Sequence, residues 1–190
     1  MVKLLFLCRR RGDITHHRYV RLLLDGHVPL ALRHHPTLRR YAVNIVDDTI
    51  GGVPPLDSIG ALWFDTLADF HERLYDSPAG ERIVARDVAG FLGGAVALVV
   101  REETVSEPPR GARLGDPTPG TKLIVGLTAA AAVPSWRDRA GLRGLRFDHV
   151  EGCLDGSPPR YVGFAEVYLG EGASLPGGVA GYRVTEYVER

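Results

Sequence analysis

Proton-transfer chemistry needs a group that titrates near neutrality beside another that orients it, and the chain offers seven histidines and 23 acidic side chains. His149 in LRFDHVEG (145–152) and Glu166 in FAEVYL (164–169) lie in strand-patterned segments. Alternation predicts that both project from neighbouring strands into one interior. There an imidazole and a carboxylate form either a proton-transfer pair or a satisfied structural hydrogen bond. His27 ends a helical pattern, where it either seals the last carbonyls or joins the site. Trp63 and Tyr168 either stack on a flat substrate or fill space, with Phe147 and Ile59 as the apolar lining beside them.

Other groups point away from chemistry. The doublets His16-His17 and His34-His35 face different directions, and no HxxxH or HExxH spacing occurs, so neither a metal nor a haem is expected. Cys8 and Cys153 are too few for a disulfide framework or a cysteine zinc site and read as buried, inert thiols. Arg9-Arg10-Arg11 follows a strand and is either solvated or placed to grip an anionic substrate. Asn44 and Asp148 alternate with the expected inward set and are assigned to the helix side or a loop.

The elements that position these groups can be read in order. Val2 to Cys8 is a strand, and Thr15 caps a helix stopped by Gly26 and Pro29. Arg40 to Val46 and Ile59 to Asp65 are strands, followed by helices over 66–75 and after Ser77-Pro78, then a strand over 95–101. That order, βαββαβ, is ferredoxin-like. Residues 102–120 have linker composition, rich in Pro and Gly.

After the linker the pattern repeats. TKLIVGL (121–127) echoes VKLLFLC (2–8), with Lys122 answering Lys3, and LRFDHVEG echoes YAVNIVDD (41–48). FAEVYL echoes IGALWF (59–64), and YRVTEYV (182–188) stands for the fourth strand. The second copy is shorter where the first carries helices, leaving a helical remnant near Ser135 to Ala140 and a Gly-rich loop. The predicted organisation is an intact repeat over 1–101, a linker over 102–120 and a shortened repeat over 121–190. The fold class is α+β, with two tandem ferredoxin-like repeats closing their free sheet faces into a barrel.

KLLFLCRRRGDIT (3–15), YVRLLLDGHVPL (19–30), RRYAVN (39–44) and IGALWFD (59–65) together resemble EthD-type proteins of the dimeric α+β barrel superfamily. The resemblance covers roughly residues 1–101; it retains Tyr19, His27 and Pro29-Leu30 and lacks the family's tryptophan, with Leu23 in its place. Family members often carry a glutamate where Ala61 stands and a histidine where Ile45 stands, and the second copy supplies both groups, as Glu166 and His149. The resemblance thus implies one asymmetric site built from His149, Glu166 and His27.

Composition bounds the partners. Twenty-three basic and 23 acidic residues give zero net charge, which argues against nucleic acid and anionic membranes. No apolar run reaches membrane-spanning length, and no signal-peptide pattern is present, so a cytoplasmic protein is expected. The expected function is a cofactor-independent acid/base enzyme, of cyclase, dehydratase or other lyase type, on a small aromatic or polyketide-like molecule. A cofactor-free monooxygenase of a phenol and a non-catalytic ligand-binding barrel are the alternatives. The assembly is expected to be a monomeric barrel or a homodimer.

Overall fold

Each expected strand forms, and all eight join in one closed antiparallel barrel. The computed structural model describes residues 1–128, 141–170, 173 and 179–189. Its strands are β1 (Val2–Arg10), β2 (Arg40–Ile50), β3 (Ser58–Phe64), β4 (Leu92–Ser106), β5 (Thr121–Leu127), β6 (Leu142–Cys153), β7 (Gly163–Leu169) and β8 (Gly181–Val188). Around the barrel they run β1-β3-β2-β8-β5-β7-β6-β4. Each half therefore shows the same order, fourth-first-third-second, and the halves are sewn together where β2 meets β8 and β4 meets β6. The helical remnant near Ser135 to Ala140 and most of the Gly-rich loop lie outside the described residues.

Among the described residues, the helices lie in the first half. The first helical segment differs from the sequence expectation because Gly26 and Pro29 do not stop it. It runs from α1 (His16–Arg21) through a π-helical turn (Leu22–His27) into α2 (Val28–His34). The Val28 amide bonds back to the Leu23 carbonyl, one residue further than in an α-helix, and Pro29 then falls in the first turn of α2, where its missing N–H costs little. The segment ends at His35, which precedes Pro36 and so is disfavoured from helical dihedrals. Then α3 (Leu67–Arg73) opens on a Thr66–Asp69 capping box, and α4 (Pro78–Phe91) opens on Ser77, whose hydroxyl accepts from the Gly80 amide.

Sheet alternation separates two apolar bodies. Leu4, Val43, Ile45 and Phe64 face the helices and pack with Tyr19, Leu23, Val28 and Phe91. Leu5, Ala42, Ile59, Ala61, Trp63, Ile124, Phe164 and Tyr182 face the barrel axis. The linker is not a free tether. β4 continues to Ser106, and the chain then crosses one barrel end as a strap, with the Gly115 amide bonded to the Val188 carbonyl (2.8 Å) and the Thr118 amide to the Glu186 carbonyl (2.7 Å).

Candidate functional site

Charged side chains fill one end of the barrel. Lys3 on β1 and Lys122 on β5 are 2% and 3% exposed. Lys3 Nζ donates to Asp148 (2.8 and 2.9 Å), Glu166 (2.6 Å) and Glu102 (2.9 Å). Lys122 Nζ reaches Glu166 and Glu186, each at 2.6 Å. Glu186 also accepts from the hydroxyls of Thr118 (2.8 Å) and Tyr168 (2.9 Å). The lysine ammonium groups lie 4.8 Å above the Trp63 ring and 4.9 Å above the Tyr168 ring, a near-symmetrical arrangement.

Burial works against the charge on Lys3 and Lys122, and the surrounding carboxylates outweigh it, so both stay protonated. Burial also pushes the Asp148 carboxyl up to about 8, opposed by Lys3 and reinforced by Glu166. Glu166 is buried too, yet Lys122 and Lys3 hold it well below the usual carboxylate range. Glu102, Asp148 and Glu166 lie close enough to share a metal, but the Lys3 ammonium already sits among them and bonds to all three. The three carboxylates are thus engaged by the Lys3 ammonium, which takes the place a metal ion would need.

The expected His149–Glu166 pair does not form. Glu166, Trp63, Tyr168 and Ile59 do face the barrel interior, as the alternation of β3 and β7 indicated. On β6 the inward residues are Arg146 and Asp148, and His149 and Phe147 face the outside of the sheet. Antiparallel register explains this. Arg146 stands opposite Glu166 and Asp148 opposite Phe164, and directly opposed residues share a face. In the first half Asn44 likewise stands opposite Ile59 and points inward, contrary to its assignment to the helix side. His149 instead meets Glu103 of β4 at 2.9 Å on the outer face, 31% exposed at its side chain. Phe147 is buried there among Leu123, Val125 and Val167.

His27 belongs to a different place, a cavity of about 220 Å³ between the first-half sheet and its helices. The wall is mostly apolar, with Phe6, Leu23, Val43, Leu62, Val84 and Phe91 among its lining. Its polar groups are few. His27 Nδ1 donates to Asp87 at 3.0 Å, which leaves Nε2 as the lone-pair nitrogen. Burial lowers the His27 pKa, opposed by Asp87. The Tyr19 and Ser58 hydroxyls share a hydrogen bond of 2.7 Å. Cys8 lies beside them with its thiol pushed up to about 12 by burial, so it is not a nucleophile, in line with its reading as inert.

His35 is the unusual member. It is 5% exposed and lines the cavity, and neither ring nitrogen has a hydrogen-bond partner. Its ring packs edge-on against the Tyr75 ring, with centroids 5.3 Å apart. Burial lowers its pKa to about 4, helped by His27 and His34, so it is neutral at physiological pH. Sequence reasoning passed over His35 as half of a doublet. The signal available was Pro36, which turns the residue before it out of the helix.

Residues 11–95 match the EthD domain family. That match spans somewhat less than half of the chain. Within it fall the π-helical turn, His27, His35, Asp87 and most of the helix-side cavity. Two solved structures share the whole architecture. An anthrone oxidase-like protein aligns with a TM-score of 0.58 at 8% identity, covering 98% of this chain and 92% of its own. A monooxygenase-designated protein from Lactobacillus acidophilus NCFM aligns at 0.50 and 11% identity, covering 99% and 95%. At such identities the likeness is one of fold. No curated protein sequence matches the chain. Among the described residues no helix is long and apolar enough to cross a membrane.

Proposed function

We propose that this protein is a cofactor-independent oxygenase of a small electron-rich aromatic, working in the helix-side cavity. The observation that carries this reading is His35, a buried imidazole in an apolar chamber with both nitrogens unpaired. Such a group costs stability unless a ligand supplies the missing partner. A phenolic or carbonyl oxygen of a flat substrate is that partner, and about 220 Å³ suits a molecule of two or three fused rings.

In this scheme His27 Nε2, with its ring held by Asp87, removes a proton from the activated ring carbon. His35 donates an N–H to the oxygen on which charge develops. The carbanion passes one electron to dioxygen, and the radical pair combines into a peroxide. Loss of the second C–H proton then breaks the O–O bond. One oxygen atom leaves in the new carbonyl and the other as water, so one O₂ is consumed per CH₂ oxidised. The names of the two structural neighbours favour this oxygen-using alternative over the cyclase or dehydratase expectation. The same base without oxygen would perform a lyase-type proton transfer, and oxygen uptake separates the two.

The test is turnover of 1,8-dihydroxyanthrone followed by oxygen electrode and quinone absorbance. Equimolar O₂ and quinone are expected, with kcat falling about 10²-fold or more in His27→Asn. In His35→Phe a loss on both kcat and KM is expected. Turnover unchanged in both variants would sink the proposal.

We also infer that the barrel is a tandem pair of ferredoxin-like units within one chain. The identical strand order of the halves supports it, as do the matched pairs Lys3/Lys122, Trp63/Tyr168 and Glu102/Glu186.

A further inference from the structure

The charged end of the barrel closes on a second cavity, of about 570 Å³, with no lining residue in common with the helix-side chamber. Its floor is Glu102, Arg146, Tyr168 and Glu186, and its roof is the strap from Glu107 to Leu114. The strap is held in place. Thr118 bonds to Glu186 through both its amide and its hydroxyl, and Pro108 presses on β6 at Gly144, where a Cβ would lie 2.6 Å from the Pro108 Cα.

On the floor, Glu186 is already taken by Lys122, Thr118 and Tyr168, and Lys3 bonds to Glu102. Arg146 is different. It is only 7% exposed, and its Nε has no hydrogen-bond partner. The cavity wall is also short of negative charge. Four arginines, Arg40, Arg110, Arg113 and Arg146, line it against three glutamates, Glu102, Glu107 and Glu186, which leaves the wall with an excess of one positive charge. A buried guanidinium with a free donor in a roofed, net-positive chamber is suited to a carboxylate. Tyr168, Pro108, Pro109 and Val188 supply an apolar wall beside it.

We propose that this chamber is a second ligand site, which takes a small organic carboxylate with an apolar body. The carboxylate meets Arg146 and the arginines of the strap, and the body lies against Tyr168 and the Pro108-Pro109 turn. This site is independent of the oxygenase reading, since it uses none of the helix-side residues.

The experiment is ¹⁹F NMR titration of the full chain with 4-fluorobenzoate, and with neutral 4-fluorobenzamide for comparison. Saturable binding of the benzoate is expected, with the benzamide at least about tenfold weaker. The exposed double variant Arg110→Glu/Arg113→Glu should keep its circular dichroism and lose at least fivefold in affinity, on the order of the contribution of a charged hydrogen bond. Arg146→Met should lose binding, and His27→Asn should leave it unchanged. The proposal is overturned by no saturable binding, by equal binding of benzamide, or by binding lost in His27→Asn and kept in the arginine variants, which would place the ligand in the helix-side cavity.

Discussion

The chain has 21 arginines and two lysines, and both lysines are buried at matching places inside the barrel. A lysine ammonium directs three donors tetrahedrally, which meets three separate carboxylates; a planar guanidinium could not do so in the same volume. The arginine bias therefore sharpens the meaning of the two exceptions. Lys3→Met leaves Asp148, Glu166 and Glu102 facing one another without their shared cation, and a loss of about 3–5 kcal/mol is expected in denaturant unfolding. Lys3→Arg should recover less than half of that loss. His35 gives a second prediction. Its folded pKa of about 4 lies below the unfolded value near 6.5, so the unfolded chain binds more protons between these limits. Stability must fall as pH drops from 6.5 to 4. With His35 buried, the effect amounts to about 2–3 kcal/mol. Thermal melts across that range should show the slope in the native chain and a flatter one in His35→Leu.

Two elements position the sites in ways their local sequence does not announce. The π-helical turn carries Leu23 and His27 into the cavity and lets a segment with Gly26 and Pro29 remain helical to His34. Its extra residue per turn is a tertiary accommodation, and the pattern of the segment reads as two stop signals. The strap has the composition of a linker, yet β8 and β6 hold it across the barrel end. Gly144 is the contact that permits this. Gly144→Ala should cost about 1–3 kcal/mol as the Pro108 backbone shifts, and trypsin should cleave faster after Arg110 or Arg113. A cleavage rate equal to that of the native chain would show that the strap is not seated at this point.

At the scale of the whole molecule, the closed ladder leaves no free edge among the described strands. β2 pairs with β3 and β8, β4 with β1 and β6, and every other strand also has two neighbours. The eight strands of a single chain close the barrel without a strand from a partner. Native mass spectrometry at micromolar concentration should therefore show a single chain. A dilution-resistant dimer would contradict that, and would place a further interface on the outer surface.

Strand positions, the helix caps at Thr15 and Ser77, and the resemblance carried by the first half were all legible from the sequence. They follow from periodicity, turn chemistry and residue type, which act over a few neighbours. The inward placement of Ile59, Trp63, Glu166 and Tyr168 was legible for the same reason. The facing of His149 and Asp148 was not, because a strand's alternation does not say which of its two faces is inside. Only the register between strands decides that, and a shift of one residue exchanges the faces. Nor could the sequence bring His27, His35 and Asp87 to one cavity, or Lys3, Asp148 and Glu166 to one point. Their separations along the chain are closed by helix packing on one side of the sheet and barrel closure on the other, and those are properties of the tertiary fold.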